Sequence, residues 1–228
     1  MAHEERHSAS EPAPPHAADG PATARAVRAR WGGVGAAAAL ALLTIPLDRW
    51  VVAGLTAETV RPGLEQAIGL LKGLAPACVI LAILSVFPNR RRLYVGFLVP
   101  LLGHLPILHL LKWLIGRTRP LAEQGPFHFE PLSAAKYADA FPSGHTAGAT
   151  VFALLLAIYF PRLRWVFYVW LVLMGLERVV LRMHFLSDVI AGYALGAAVV
   201  YGCVRLLGAK FYERGDSAQD VFNASSHP

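Results

Sequence analysis

The sequence predicts an all-α fold, a polytopic membrane protein built as a six-transmembrane-helix bundle. Three observations carry that expectation. Of 228 residues, 55% are apolar and only 16% charged, against about 45–50% and roughly 25% in a soluble domain. Mean hydropathy is +0.46. The apolar residues fall in long runs, divided by short charged or proline-containing connections, as bilayer-spanning helices require.

Residues 1–30 are rich in Ala, Pro and His with scattered charges, and they read as a disordered cytoplasmic tail. They do not read as a signal peptide, because the first apolar run starts only at Trp31. The membrane domain is then 31–207. Its apolar segments run from Trp31 to Val52 (interrupted by Asp48 and Arg49), Gln66 to Phe87, Leu93 to Ile115, Ser143 to Phe160, Trp165 to Arg182 and Val189 to Leu207. A spanning helix needs about 20 residues, and several of these are near the short end. Residues 208–228 read as a second cytoplasmic tail.

The connections alternate in character. Pro88–Arg92 and Pro161–Arg164 are tight and basic, the first tail carries Arg25, Arg28 and Arg30, and the last carries Lys210 and Arg214. With six spans these four stretches share one side, which the positive-inside rule makes cytoplasmic. Segments 116–142 and 183–188 then face outward, toward the periplasm if the membrane is a bacterial inner membrane. The net charge of +6 and pI of about 9.6 are explained by topology and an anionic substrate. Nucleic acid is excluded as a partner, because Arg and Lys form no stripe with interleaved aromatics. Cys78 and Cys203 lie inside apolar runs as small buried hydrophobes. Gly192 and Gly196 have the small-xxx-small spacing of closely packed helices.

The chemistry-bearing residues gather at segment ends on the outward side. They are Lys112 with Arg119 and Pro120; Pro142-Ser143-Gly144-His145; and Arg178, His184 and Asp188. Ionisable groups at membrane depth are costly, and three clusters on one face are hard to explain as snorkelling anchors. Lys112, Arg119 and Arg178 supply three cations, and arginine's planar fork suits phosphate oxygens. Ser143 is a candidate N-cap, and the unpaired N–H groups of the helix start make an anion seat. Gly144 lets a ligand approach the backbone. His184 and Asp188 are four apart; an aspartate on one imidazole nitrogen would fix the tautomer and leave the other to attack. His145 would protonate the leaving oxygen and later activate water. Together these parts describe a double-displacement phosphatase.

The three clusters, in this order, resemble the type 2 phosphatidic acid phosphatase superfamily, also called the lipid phosphate phosphatases. Its Lys-x6-Arg-Pro and Pro-Ser-Gly-His motifs are complete at Lys112–Pro120 and Pro142–His145. Its Ser-Arg-x5-His-x3-Asp motif matches at Arg178, His184 and Asp188 but has Glu177 where the family has Ser. The resemblance implies phosphate contacts from Lys112, Arg119, Ser143, Gly144 and Arg178. It makes His184 the nucleophile, Asp188 its partner and His145 the acid/base. It implies no cofactor and no divalent metal. The expected substrate is a membrane lipid phosphate or diphosphate: undecaprenyl diphosphate first, then phosphatidylglycerophosphate, phosphatidate or a lipid A phosphate.

Two rival classes use similar residues. A vanadium-dependent haloperoxidase would hold vanadate in such a site but is usually soluble, and a non-catalytic lipid-phosphate binder or transporter would not need His145, His184 and Asp188. Blander readings apply elsewhere. His104 and His109 read as polar packing, His128 and Lys136 as solvated loop residues, and Arg90–Arg92 as topology signals. Trp31, Trp50, Trp113, Trp165 and Trp170 form an aromatic belt. Arg117 and Arg182 stay open between assisting a second phosphate and anchoring at the interface.

Overall fold

The structure, a computed structural model, describes residues 21–54, 91–135 and 137–208. Among these it is all helix and turn, with one isolated antiparallel bridge between Arg117 and Phe129. The helices are α1 (Pro21–Ala53), α2 (Arg91–Ile115), α3 (Gly144–Tyr159), α4 (Arg164–Val180) and α5 (Leu186–Leu207). The expected span at 66–87, with Cys78, lies outside the described residues, as do Lys136 and most of the C-terminal tail.

The apolar span starts at Trp31, and the helix continues upstream of it. Residues 21–30, read as tail, are the first turns of α1. Alanine and arginine are strong helix formers, so the Ala/Arg run extends the helix, with Pro21 at the first position, where proline is tolerated.

Among the described residues, three stretches are long and apolar enough to cross a membrane: Trp31–Ala53, Tyr94–Ile115 and Leu186–Leu207. The outward faces fit that solvent, with Leu43, Leu102, Leu110, Leu173 and Leu206 exposed. Helix α3 is apolar but only 16 residues long. It contacts α2, α4 and α5 and buries Ala147, Val151, Ala153 and Leu155 completely. Much of its surface therefore meets protein rather than lipid. Its lower end completes a cluster of Phe97, Phe152, Leu156 and Val200, where Phe97 stacks on Tyr159 at 5.2 Å. His104 is buried inside the bundle against Gly148, whereas His109, expected to pack there too, is exposed.

The glycine spacing on α5 serves packing within the chain. A Cβ on Gly192 would stand 2.7 Å from the Ser143 carbonyl oxygen, and one on Gly196 only 2.5 Å from that of Ala147. Backbone thus meets backbone where α5 crosses α3, and α1 packs along α5.

Helix α2 ends at Gly116, whose φ of +59° is left-handed and whose N–H donates to the Lys112 carbonyl at 2.8 Å. Any side chain there would collide with the Glu130 backbone. The connection to α3 then folds into a cap. Thr118 N–H donates to His128 O, Glu130 N–H to Gly116 O and Leu132 N–H to Trp113 O.

A buried cluster of charge ties this cap to the bundle. Arg117 is fully buried. Its Nη1 donates to Asp188 Oδ1 and Ser187 Oγ at 2.6 Å, its Nη2 to Asp48 Oδ2 at 2.9 Å, and both Nε and Nη2 to the Pro126 carbonyl. Asp48, on α1, also accepts from Ser187 N–H at 3.0 Å and from its hydroxyl. Phe185 lies over the guanidinium at 4.3 Å. Arg117 is therefore neither a second phosphate ligand nor an interfacial anchor. It joins α1, the cap and the start of α5.

Two outcomes follow in purified protein followed by thermal unfolding in detergent. Gly196→Val forces α5 off α3 and costs about 1–3 kcal/mol, the scale of overpacking a filled interior. Arg117→Leu strands Asp48 and Asp188 as buried carboxylates and costs about 3–5 kcal/mol; an unfolding midpoint equal to wild type would refute the clamp.

Candidate active site

The end of the bundle beneath the cap collects the residues singled out in the sequence. Ser143 is the N-cap of α3: its Oγ accepts from Thr146 N–H at 3.4 Å and Thr146 Oγ1 at 2.9 Å. Ser143 N–H donates to the Asp188 carbonyl at 3.0 Å, tying α3 to the first turn of α5. The N–H groups that follow, from Gly144 onward, belong to a helix start without intrahelical acceptors. Gly144 has a packing reason as well, since a Cβ there would stand 2.9 Å from Leu108 Cδ2. Lys112 lies one turn on along the same face of α2.

His184 sits in the turn that precedes α5 and is 2% exposed. Its N–H and that of Met183 donate to the Arg178 carbonyl at 3.2 and 3.1 Å, fixing the turn on the end of α4. The imidazole Nδ1 is 2.9 Å from the Ala140 carbonyl oxygen. A carbonyl only accepts, so Nδ1 carries the proton, and in the neutral ring Nε2 keeps its lone pair. Asp188 was expected to make this bond. Its Oδ2 stands 3.6 Å from Nδ1 and instead accepts from Phe185 N–H at 2.8 Å. Asp188 is the third residue of α5 while His184 precedes the helix, so the pair do not stack as i and i+4 of one helix. Asp188 therefore acts on His184 by charge and by shaping the turn.

Burial, above all, holds the His184 imidazole below its ordinary pKa of 6.5, and the nearby Lys112 and Arg119 push the same way; the Asp188 carboxylate opposes them. His145 is exposed and lies within electrostatic reach of His184, Arg119 and Lys112.

The cations are not bare. Arg119 donates through Nε and Nη2 to both carboxylate oxygens of Asp139, at 2.7 and 2.6 Å. Lys112 Nζ donates to the Asp139 carbonyl and lies 3.7 Å from its carboxylate. Burial alone would raise the Asp139 carboxyl pKa; the Arg119 hydrogen bond and the two cations outweigh it and hold the group below its ordinary value. Arg178 is buried and donates through Nε and Nη2 to Glu177, both at 2.7 Å. The residue that departs from the expected serine thus grips the arginine beside it.

Sequence reasoning brought Lys112, Arg119, Ser143, Gly144, His145, His184 and Asp188 to one place, with Arg178 tied to it through the backbone of His184. It missed three participants. Asp48 had a signal, a carboxylate inside an apolar run. Asp139 stands three residues before Pro142, and no spacing rule marks it. The Ala140 carbonyl is backbone and leaves no trace in residue type. Arg182 adopts a left-handed φ of +54° in the turn before His184; nothing ties it to a phosphate. Among the described residues no group of His, Cys, Asp and Glu has the arrangement of a metal site.

Comparison with known proteins accords with this geometry. The alignment with lipid A 1-phosphatase of Rhizobium johnstonii is 41% identical over 93 residues, covering 40% of this chain and 38% of the relative. That with lipid A 1-phosphatase of Rhizobium etli is 39% identical over 110 residues, covering 47% and 45%. The chain thus spans less than half the length of the curated relatives it matches. Its fold is similar to the crystal structure of the first transmembrane PAP2 type phosphatidylglycerolphosphate phosphatase from Bacillus subtilis. There the TM-score is 0.53 at 23% identity, over 81% of this chain and 96% of that one. The family model of the PAP2 superfamily matches residues 93–212, the stretch that carries all three motifs and the cap between them, and the chain belongs to that superfamily.

Proposed function

We propose that this chain is an integral-membrane phosphatase that hydrolyses a lipid phosphate or diphosphate through a phosphohistidine at His184. The observation that carries the reading is the pinned imidazole: Nδ1 donates to a carbonyl, so Nε2 is a ready nucleophile beside Lys112 and Arg119. In the first step Nε2 attacks phosphorus, the bond to the leaving oxygen breaks, and His145 supplies that oxygen's proton. In the second, water attacks the phosphohistidine, His145 takes the water's proton, and inorganic phosphate leaves with His184 restored. Lys112, Arg119, Arg178 and the N–H groups at Gly144 hold the three phosphoryl oxygens and stabilise the charge that builds on them. Ser143 orients that helix start, and Asp188 stabilises the imidazolium character His184 gains as its bond to phosphorus forms. The step draws on no metal.

The domain proper is residues 31–207. Its basic connections support an orientation with the site facing away from the cytoplasm, toward the periplasm if the membrane is a bacterial inner membrane. Among lipid phosphates, the two relatives named lipid A 1-phosphatase support a glycolipid 1-phosphate as substrate. Undecaprenyl diphosphate is the second candidate, because the motifs select the phosphate and not the lipid.

The test is phosphate release by purified protein in detergent with EDTA present, across lipid A, undecaprenyl diphosphate, phosphatidylglycerophosphate and phosphatidate. One lipid is expected to be turned over, with His184→Ala lowering kcat by about 10⁴-fold or more, as removing a covalent nucleophile does. A variant as active as wild type would end the phosphohistidine reading. The pH profile gives a second check. Attack needs neutral His184, whose pKa is held below 6.5. On the acid side kcat/KM should therefore hold until pH drops below 6.5, while the need for a protonated His145 in the first step sets a separate basic limb. Asp188 raises that pKa, so Asp188→Asn moves the acid limb to lower pH still; a shift to higher pH would contradict the assignment.

A further inference from the structure

Of the two cations best placed to receive a phosphoryl group, Arg119 is bonded by the Asp139 side chain, and the same carboxylate lies beside Lys112. The carboxylate takes the Nε and Nη2 edge of Arg119 at 2.7 and 2.6 Å and stands 3.7 Å from Lys112 Nζ. A planar two-oxygen anion on the arginine fork, with a second cation alongside, is the arrangement a phosphoryl group would itself adopt. Asp139 is 47% exposed, Arg119 19% and Lys112 12%, so the carboxylate is the member of the three most open to solvent.

We propose that Asp139 is an internal competitor for the phosphate seat, which must leave Lys112 and Arg119 when a phosphoryl group arrives and which returns to expel the phosphate product. The proposal rests on Lys112 and Arg119 being the phosphate ligands of the proposed reaction. The backbone around Asp139 is held on both sides. Arg119 N–H donates to Tyr137 O at 3.0 Å, Ala140 N–H donates to Arg117 O at 2.8 Å, and Lys112 grips the Asp139 carbonyl. Release is therefore a rotation of one side chain toward solvent. The cap stays in place, and Ala140 O keeps its hold on His184. The exchange favours substrate because a phosphomonoester carries about −1.5 to −2 at neutral pH and has more acceptor oxygens than a carboxylate. It favours product release because a free phosphate has no lipid chain to hold it in the bundle while the carboxylate is tethered beside the fork.

A competitor on the same seat lowers the affinity of every anion by one common factor, since each ligand must displace the same group. Binding of inorganic phosphate and of dimethyl phosphate, a singly charged diester, to the full-length protein in detergent reads this directly by calorimetry. Asp139→Asn should tighten both by a similar factor of about five, the scale of two partly exposed ion pairs. Asp139→Ala, which also removes the hydrogen-bond acceptor, should tighten both further and serves if the Asn protein does not fold. Unchanged or weaker binding would overturn the proposal and make Asp139 a residue that positions Arg119. A gain for phosphate several times that for the diester would also overturn it, because a carboxylate that repels from a distance discriminates by charge. If neither the wild type nor either variant binds phosphate, the seat and the competitor fall together. Tighter binding in the variants, with no lipid turned over by wild type, keeps the competitor and removes the enzyme.

Discussion

A guanidinium with no access to water must find all its acceptors inside the protein, and Arg117 finds them on parts of the chain distant in sequence. Asp48 lies 69 residues before it and Asp188 71 after. The Pro126 carbonyl belongs to the cap that Arg117 itself begins. A buried pair contributes little net stability, but losing one partner is severe. The cluster therefore acts as a constraint more than as a source of stability. It permits one docking of α1, cap and α5, and penalises any other by leaving charge unpaired. Oδ1 of Asp188 is committed to that cluster, so Oδ2 is left to close the turn at Phe185, and the turn presents His184.

From that fixed point His184, the proposed nucleophile, is oriented almost wholly by backbone. Ala140 O receives Nδ1, Arg178 O receives the His184 N–H, and Asp188 O receives Ser143 N–H. The first and third join the stretch around Pro142–His145 to the Arg178–Asp188 motif, and the second closes the turn within that motif. Backbone acceptors have a chemical advantage in this role. A carboxylate bonded to Nδ1 would raise the pKa of the ring and favour the charged, unreactive form. A neutral carbonyl fixes the tautomer without that penalty, and burial lowers the imidazole pKa, the direction the proposed attack calls for.

The parts legible in the sequence are those that residue type and spacing encode. Apolar runs located α2 to α5 within a few residues, because an apolar side chain in a bilayer protein needs no partner. Ser143 was readable as a cap because a hydroxyl before an apolar run has a specific local task. The helix runs upstream of Trp31 because propensity in an Ala/Arg stretch acts without an apolar signal. The exposed or buried fate of Arg117 was unreadable, because its acceptors come from α1, the cap and α5, and no local pattern joins them. The Asp188–His184 pairing was inferred from a spacing of four, and the helix begins between the two residues, so the spacing did not carry the geometry.

The two carboxylates beside the cations differ in what they permit. Glu177 and Arg178 are both nearly buried, at 9% and 7% side-chain exposure. Separating them would strand a charge at a cost of about 3–5 kcal/mol, so Glu177 stays in place during any exchange of ligands. Arg178 then meets an anion as a donor already oriented and partly neutralised. The Asp139 carboxylate is half exposed, where a typical ion pair contributes only about 0–1 kcal/mol and water receives the released group. Under the proposed function, a site that both binds and releases phosphate cannot leave all its positive charge uncompensated, or product would remain bound. One fixed carboxylate and one exchangeable carboxylate divide that task. The buried pair sets the resting charge of the seat, and the exposed one sets how readily the seat empties.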